Sequence, residues 1–368
     1  MKILAIAMSR IPAPNANGIQ VMKVCQALAQ LGHEVILLVP DMQPQRPSQE
    51  ELAAYYGLEK TFEVRWLTTR SRRSFTWHAI REARKEKPDL IYSWSPQSSV
   101  FALLHRLPLI FELHEPPLGR FGPVWYRWFL HLSGNKRLVS ITKALEDVLS
   151  RNYGLPSNVV IAPNGIDLER YDSLPSPQLA RRELGFQDTP TVICTGHLYA
   201  GRGVETFVTL AEKSPETQFL WIGGRQADVE VWRERAKEQE NLRFTGFIQQ
   251  TELPLYQSAA DILIAPYASQ ISGSSGGDSA SVASPMKLFD YMAAKRAIIT
   301  SDLPVIREVL KEETAVLVSP DDLDAWHNAI TRLLSDPELR EKLAKNAYAR
   351  VKDYTWLARQ KKILMNDL

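Results

Sequence analysis

Short apolar runs alternate with amphipathic stretches along most of the chain, and each run has the length of one strand. Runs of this length between helical patterns are typical of strands buried on both faces. A regular succession of strand, helix and strand predicts βαβ units, and therefore a parallel sheet covered by helices. In the first half, strands are predicted at residues 3–8, 34–39, 62–67, 90–93, 109–112 and 138–140, with a first helix over 19–31.

The same alternation starts again in the second half. Strands are predicted there at residues 192–195, 218–222, 242–245, 262–265, 297–300 and 315–318. Residues 168–178, rich in proline and polar side chains, are predicted to form a linker. Because 368 residues are many for one core, we predict an α/β protein with two Rossmann-like domains facing a cleft, over residues 1–167 and 178–350. Ligands are expected at the carboxyl ends of the strands.

One helix start in the second half has the chemistry of an anion site. Ser284 is a suitable N-cap and Pro285 suits the first helical position, so backbone N–H groups from about Met286 onward point into the preceding loop. Asp290, one turn later, is placed to accept hydrogen bonds from sugar hydroxyls. A phosphate at the helix start and a ribose one turn along would fit a bound nucleotide. The alternative is a capped amphipathic helix with a Lys287–Asp290 surface pair worth about 0.3 kcal/mol.

The residues before this helix are unusually small and polar. Residues 272–279 read Ser-Gly-Ser-Ser-Gly-Gly-Asp-Ser, which is too small and flexible a segment to build a core. Long loops of this kind usually bind something. Together, residues 284–304, SPMKLFDYMAAKRAIITSDLP, resemble the nucleotide-binding signature of the retaining glycosyltransferases of family 4, S-P-x-K-L-F-E-Y-M-A. The resemblance implies the GT-B fold and a nucleotide-sugar donor.

A glycine-bearing loop with a cation follows the first predicted strand of the second domain. Gly196, His197 and Arg202 belong to this loop, and a diphosphate needs such close backbone approach and fixed positive charge. The segment resembles the family's G-R-L-x-x-x-K-G-V, with Arg202 at the usual lysine. His197 stands at the usual arginine, so that positive charge depends on protonation. Lys287 is a candidate to compensate.

Two further segments resemble donor-site motifs of the same family. Gly223 lies in a strand-to-glycine turn similar to V-G-x-G, a position close to the nucleotide. Phe247 lies in a segment similar to F-x-G-x-V, whose main chain usually meets the base. Such a backbone contact leaves the identity of the base open.

The first half offers two candidate site residues. Gly18 opens the first helix, whose N-terminus could receive a phosphate or a sugar; a tight turn is the alternative. His114 directly follows a predicted strand, and Phe111-Glu112-Leu113-His114-Glu115 resembles the family's H-D or H-E. That resemblance implies a position beside the donor sugar, where the histidine's backbone carbonyl stabilises developing positive charge. The alternative is a structural histidine.

Two stretches of the first half, residues 70–77 and 119–130, mix cations with aromatic residues. Trp125, Trp128 and Phe129 are spaced to share one helix face. Such faces commonly lie in a membrane interface or line an acceptor site. A helix packed on its own domain is the alternative.

The charge of the first half also favours a membrane or lipid partner. The net charge is +2, but residues 1–165 hold 20 Lys and Arg against 13 Asp and Glu, a net +7. This fits a lipid phosphate or a membrane surface and is too mild for nucleic acid. The two cysteines fit a reducing cytoplasm, and no apolar stretch is long enough to span a membrane. We therefore expect a cytoplasmic protein with possible peripheral contact at the inner membrane face.

No metal or cofactor is expected. The sequence Asp322-Leu323-Asp324 resembles a metal-binding D-x-D, but acidic residues after Ser319-Pro320 are better explained as the start of a helix. The closing segment, about residues 354–368, resembles the C-terminal helix that crosses back to the first domain in GT-B enzymes.

The resemblance implies transfer of a hexose, with retention, from a nucleotide diphosphate sugar to a hydroxyl of a glycan or lipid-linked acceptor, UDP being favoured. His114, Arg202 and Lys287 are the catalytic candidates. The family's glutamate eight residues before the ribose-binding acid is replaced by Val282, and Asp278 is a candidate substitute. Two alternatives stay open: a non-catalytic nucleotide-sugar or glycan-binding relative, and a nucleotide-sugar epimerase of the same fold.

Overall fold

Tertiary contacts divide the chain into two units. The computed structural model describes residues 1–42, 45–69, 71–269 and 281–365, without the side chains of residues 72 and 73. Unit 1 consists of Met1–Asn164 and Trp356–Leu368, and unit 2 of Gly165–Thr355. The predicted domains ended their first part at residue 167 and placed the returning segment from about residue 354.

Unit 1 is built on a seven-stranded parallel sheet. Its strands are β1 Lys2–Ile6, β2 Glu34–Pro40, β3 Glu63–Leu67, β4 Leu90–Ser93, β5 Leu109–Leu113, β6 Lys136–Ser140 and β7 Val159–Ile161. They lie in the order β3-β2-β1-β4-β5-β6-β7, and every pairing is parallel. The central strands β4 and β5 are buried throughout because helices cover both faces of the sheet. The order reverses direction at β1 and β4, the position where ligands of doubly wound sheets bind.

The helices of unit 1 include one from the end of the chain. They are α1 Ala16–Gln30, α2 Gln49–Tyr56, α3 Arg72–Glu86, α4 Pro96–Leu104, α5 Gly122–His131, α6 Lys143–Asn152 and a closing helix, Trp356–Leu364. The closing helix packs against α1. Its Lys362 Nζ also donates to the carbonyl oxygen of Ile161 at 2.8 Å. The end of the chain is therefore part of the first unit's fold.

Unit 2 repeats the architecture with six parallel strands. They are β8 Thr191–Thr195, β9 Gln218–Ile222, β10 Leu242–Gly246, β11 Ile262–Ala265, β12 Ala297–Ser301 and β13 Val316–Val318. Their order is β10-β9-β8-β11-β12-β13. The helices are α7 Pro177–Glu183, α8 Val204–Glu212, α9 Gln226–Arg235, α10 Leu253–Ser258, α11 Met286–Ala293, α12 Pro304–Arg307, α13 Leu323–Ser335 and α14 Pro337–Val351. Short 3₁₀ helices occupy Leu168–Tyr171 and Lys352–Tyr354. The α/β class with two Rossmann-like sheets is thus confirmed.

The acidic pair near residue 322 caps a helix. The Asp322 side chain accepts a hydrogen bond from the backbone N–H of Ala325 at 2.9 Å, and α13 begins at the next residue, Leu323. Asp324, in the first turn, pairs with Lys213 at 3.1 Å. Both carboxylates face the positive end of the helix dipole, which confirms the prediction of a helix start.

Two boundary predictions are corrected. Helix α11 begins at Met286, one residue later than expected, because the Pro285 carbonyl accepts the bond from the Leu288 N–H at 3.2 Å and so occupies the cap position; Ser284 does not. The predicted linker is also wrong in part. It contains a 3₁₀ helix whose Tyr171 is fully buried, so this segment is packed into unit 2.

The expected aromatic face of α5 is wrong for one of its three members. Phe129 is fully buried and its ring lies 5.1 Å from that of Phe111, whereas 52% of Trp128 is exposed. Phe129 joins Tyr126 on the side that packs against the sheet. Spacings of three and four residues fit either side of a helix, so the sequence alone did not separate core from surface here.

Candidate functional site

Loops after β8, β9 and β11 meet at the carboxyl edge of the second sheet, and glycines permit their close approach. Gly203 has φ +83°, and a Cβ there would lie 1.7 Å from the carbonyl oxygen of Pro266. Gly223 has φ +115°, and a Cβ there would lie 2.7 Å from the carbonyl oxygen of Gly196. Any side chain would therefore push the loops apart. Gly223, which was identified in the sequence, and Gly203, in the loop that carries Arg202, bring backbone close to one point at this edge.

Helix α11 is fixed to the same edge by a buried hydroxyl. The Tyr291 Oη accepts a hydrogen bond from the Thr195 N–H at 2.7 Å and donates to the Ile264 carbonyl at 3.3 Å. Thr195 and Ile264 belong to neighbouring strands, β8 and β11. The start of α11, at Met286, is therefore held beside the glycine loops, and the N–H groups of its first turn place the positive end of the helix dipole there.

Two cations lie at this point. The Nζ of Lys287 is 4.9 Å from the ring centroid of Tyr267, and a Cβ on Gly196 would lie 3.2 Å from that Nζ. The Arg202 guanidinium lies 5.6 Å from the same Tyr267 ring. Lys287 Nζ lies 3.8 Å from the Cys194 sulfur, which is a weak acceptor.

These two charges are not neutralised within the described part of the chain, where neither Arg202 nor Lys287 forms an ion pair with a carboxylate. The Nε of Arg202 is also buried without a hydrogen-bond partner among the described residues. Buried donors and charges normally find partners. Their arrangement fits an anion bound between the two side chains.

His197 adds a hydrogen-bonding group to the cluster. Burial lowers its pKa, and the nearby charges of Arg202, Arg225 and Lys287 lower it further, so the ring is neutral at neutral pH. It stacks on Tyr199 with centroids 4.9 Å apart. Its Nδ1 is buried with no partner in the described residues. The histidine that replaces the family's arginine therefore offers a hydrogen bond rather than a charge.

Asp290 is held by a tyrosine that the sequence analysis missed. The Tyr171 Oη lies 3.1 Å from Asp290 Oδ1 and 2.8 Å from Gln257 Oε1. One hydroxyl proton cannot serve two acceptors, and Gln257 Nε2 has no other partner in the described residues. Rotating the amide lets Nε2 donate to Tyr171 while the hydroxyl donates to Asp290. Tyr171 thereby orients this carboxylate.

The other predicted donor residues are spread around this point or lie elsewhere. Ser284 is buried just before α11, and Phe247, which follows β10, is 54% exposed. Asp278 lies outside the described residues. Gly18 belongs to unit 1, and its N–H already donates to Asn15 Oδ1 at 2.8 Å as part of the cap of α1. Its role in binding stays a prediction.

His114 lies at the carboxyl end of β5 in unit 1, where it contacts a buried carboxylate. The distance between His114 Nε2 and Glu112 Oε1 is 2.7 Å. Glu112 also receives hydrogen bonds from Gln20, from Tyr92 and, at 2.8 and 3.2 Å, from Arg359 of the closing helix. Burial raises the pKa of Glu112, but Arg359 and His114 outweigh it and hold the pKa at about 2.

An ionised Glu112 determines which ring nitrogen of His114 donates the hydrogen bond to it. Because a carboxylate only accepts hydrogen bonds, His114 Nε2 must carry the proton, and in the neutral ring Nδ1 is left as an acceptor. His114 was predicted from the sequence, but its partner Glu112 was not, and neither was Arg359, which contacts Glu112. Arg359 is separated from Glu112 by 247 positions, so no local pattern connects them.

A cavity of about 510 Å³ adjoins His114 within unit 1. Its lining includes Trp94, Gln97, Arg120 and Trp125. The Trp94 Nε1 and the Gln97 Oε1 are buried without a partner among the described residues. A donor and an acceptor without partners beside aromatic rings can bind hydroxyl groups of a sugar or polyol.

The described residues contain no cluster of His, Cys, Asp or Glu that could hold a metal ion. Among them there is also no helix with the length and apolar character needed to cross a membrane. Cys25 and Cys194 are both buried and free.

Comparison with known proteins places the two halves in one family. Residues 18–170 match the family model Glycosyltransferase Family 4, and residues 177–350 match Glycosyl transferases group 1. The chain is 25% identical over 305 residues to sulfoquinovosyl transferase SQD2 of Arabidopsis thaliana, covering 77% of this chain and 57% of the relative. It is 28% identical over 214 residues to phosphatidyl-myo-inositol mannosyltransferase of Mycolicibacterium smegmatis, covering 55% of this chain and 50% of the relative.

The alignments thus span only about half the length of these curated relatives. Among solved structures, Anabaena HepE in complex with UDP superposes with a TM-score of 0.77 at 16% identity, covering 99% of this chain and 98% of that one. This likeness shows the fold. With two consecutive family models and a matching architecture, the chain belongs to the family 4, group 1 glycosyltransferases of GT-B fold.

Proposed function

We propose that this protein transfers a hexose, with retention, from a nucleotide diphosphate sugar to a hydroxyl of a glycan or lipid-linked acceptor. The observation that carries the proposal is the pair of cations at the start of α11, Arg202 and Lys287, which have no carboxylate partner in the described residues. A diphosphate supplies the missing negative charge. UDP is the favoured carrier because HepE, which shares the fold, was solved with UDP.

Each part of the donor has a candidate partner. Arg202, Lys287 and the N–H groups of α11 would bind the diphosphate and stabilise the charge it gains on departure. Asp290 would bind the ribose. Gly223 would let backbone approach the nucleotide, and the main chain near Phe247 would meet the base. These contacts need no metal ion to balance the phosphate charge, so we propose metal-independent transfer.

Retention follows if both bonds change on one face of the sugar. The bond between the anomeric carbon and the diphosphate oxygen would break while the acceptor oxygen bonds to the same face of that carbon. The departing phosphate oxygen would take the acceptor proton, so no enzymic base is required. We propose that the backbone carbonyl of His114 stabilises the positive charge that develops on the sugar.

The acceptor is proposed to enter the cavity of unit 1. Its aromatic lining and the partnerless polar atoms of Trp94 and Gln97 suit a sugar or polyol group. The name of one relative, phosphatidyl-myo-inositol mannosyltransferase, includes such a polyol, inositol, as part of a lipid. An acceptor of this class would bring a cytoplasmic protein into peripheral contact with a membrane.

Titration calorimetry of the full chain tests the donor site. We expect UDP to bind, and Lys287→Met and Arg202→Met each to weaken binding at least tenfold, because a charge-assisted hydrogen bond contributes about 1.5–3 kcal/mol. Lys213→Met removes a surface cation that pairs with Asp324 and should leave the affinity unchanged. Equal affinities for all four proteins would refute the proposed diphosphate site.

A second measurement separates transfer from the two alternatives. The chain is incubated with a nucleotide sugar, with and without a candidate acceptor, and the anomeric signals are followed by nuclear magnetic resonance. Transfer with retention yields a product of unchanged anomeric configuration only when acceptor is present. Conversion of the donor without acceptor would identify an epimerase, and binding without turnover of any nucleotide sugar would identify a non-catalytic relative.

A further inference from the structure

Two neighbouring helices of unit 1, α4 and α5, expose an apolar surface that the fold does not cover. We define the α4–α5 face by five residues that are 37% to 53% exposed. These residues are Phe101, Leu104, Phe121, Val124 and Trp128. Exposed apolar residues grouped in this way are unusual on the surfaces of monomeric proteins and mark an interaction site.

The α4–α5 face is continuous across the two helices. The Trp125 ring lies 5.9 Å from that of Phe101 on α4 and 5.6 Å from that of Trp128 on α5. Packing of α5 onto the sheet uses a different side of the helix, where Tyr126 and Phe129 are buried. The exposed side of α5 is therefore distinct from the side that packs on the sheet.

Positive charge surrounds this face. Arg106 follows α4, Arg120 precedes α5 and Arg127 lies within it, and all three are exposed. The guanidinium groups of Arg120 and Arg127 lie over the rings of Phe121 and Tyr153, at 5.6 and 5.9 Å. In the described part of the chain, none of the three arginines forms an ion pair with a carboxylate. Aromatic residues ringed by cations complement an anionic lipid surface.

The face also borders the acceptor cavity. Arg120, Phe121 and Trp125 line the cavity, and Phe121 is at the same time a member of the α4–α5 face. A lipid whose polar head occupied the cavity would have its acyl chains beside this apolar surface. The cavity and the face together match the two parts of an amphipathic acceptor.

We propose that the α4–α5 face docks onto an anionic lipid bilayer, with Trp128 and its neighbours in the interfacial region and the arginines against the lipid phosphates. This deepens the proposed function, on which the lipid-linked acceptor rests. Binding to the bilayer itself requires no donor and no turnover.

Co-sedimentation with vesicles tests the proposal. Vesicles of phosphatidylcholine and phosphatidylglycerol in equal parts should bind the full chain, and vesicles of phosphatidylcholine alone should bind it much more weakly. The double variant Val124→Ser, Trp128→Ser should lose binding at least tenfold, because two apolar side chains no longer enter the interface. Arg106→Gln with Arg127→Gln should weaken binding only to the anionic vesicles, and added salt should have the same effect.

A matched control comes from unit 2. Leu179 and Val231 are 54% and 51% exposed, so Leu179→Ser with Val231→Ser removes a similar exposed apolar area elsewhere. This control should bind anionic vesicles as the unaltered protein does. Equal vesicle binding by the two double variants would overturn the proposal. So would a dimer in light scattering that the Val124, Trp128 variant dissociates, because the face would then be covered by a second copy.

UDP titration of the same proteins keeps the two proposals separate. The Val124, Trp128 variant should bind UDP as tightly as the unaltered chain, which also shows that unit 2 is folded. Far-ultraviolet circular dichroism and the thermal midpoint of the full chain should match those of the unaltered protein, which shows that unit 1 also stays folded. If the unaltered protein binds UDP but not the anionic vesicles, only the proposed docking face is refuted. If it binds the vesicles but not UDP, only the proposed donor site is refuted.

Discussion

Arg359 of the closing helix contacts Glu112 of β5 through both of its terminal nitrogens. The Nη2 lies 2.8 Å from Oε1 and the Nη1 3.2 Å from Oε2, and both side chains are almost completely buried. Arg359 also donates to the carbonyl oxygens of Ala162 and Pro163. One side chain therefore ties the end of the chain to β5 and to the segment after β7, beside His114.

Removal of the arginine should destabilise unit 1. Arg359→Met leaves Glu112 ionised and buried without its principal partner, and breaking a buried pair typically costs about 3–5 kcal/mol. We expect this loss in urea unfolding followed by tryptophan fluorescence. Lys361→Met removes an exposed cation from the same helix and should change the free energy of unfolding by less than about 0.5 kcal/mol. Similar effects of the two substitutions would contradict this role of Arg359.

The same pair predicts how stability depends on pH. The pKa of Glu112 falls from 4.5 to about 2 on folding, so the carboxylate contributes stability that is present above pH 4.5 and is lost as pH falls toward 2. Glu112→Gln cannot titrate. The difference in unfolding free energy between the unaltered protein and this variant should therefore be constant near neutral pH and shrink as the pH falls below 4.5. A difference that stays constant across this range would show that Glu112 does not titrate with folding.

Tyr171 gives a test of how Asp290 is positioned. Tyr171→Phe keeps the buried ring but removes the hydroxyl that donates to Asp290. We expect UDP affinity to fall about tenfold, since one hydrogen bond to a charged group contributes about 1.5 kcal/mol. Tyr256→Phe, a partly buried tyrosine of the same unit, should leave affinity unchanged.

The mechanism of that loss can be separated from general damage with a modified ligand. If Asp290 binds the ribose, 2′,3′-dideoxyuridine diphosphate already lacks the hydroxyls concerned. Tyr171→Phe should then change the affinity for the dideoxy ligand much less than the affinity for UDP. An equal loss for both ligands would mean that Tyr171 only supports the fold.

The sequence predicted the parts of this molecule whose determinants are close together in the chain. Buried strands such as β9 appear as continuous apolar runs, and the cationic glycine loop around Arg202 is a local motif. The start of α11 was predicted from its local capping residues and is wrong by one residue. Helix ends are the least certain part of a prediction because neighbouring positions satisfy similar capping preferences.

Features formed by distant residues were missed. The contact between Glu112 and Arg359 exists only after β5 and the closing helix come together. Tyr171 was assigned to a linker because proline and polar residues near it resemble a loop, although its hydroxyl is buried against Asp290. Composition describes the average of a segment, whereas packing depends on single side chains.

His197 predicts an unusual pH dependence of donor binding. In the free protein its pKa lies below the ordinary 6.5, through burial and the cations around it, so the ring is neutral at pH 7. A bound diphosphate would raise that pKa, and binding would then take up a proton as the pH falls between the raised and the lowered values. UDP affinity relative to that of His197→Asn should therefore increase from pH 8 to about pH 5.5. The comparison with His197→Asn cancels the titration of the UDP phosphate itself, which both proteins share. A ratio of the two affinities that does not change with pH would mean that the diphosphate binds away from His197, and so away from the loop that carries Arg202.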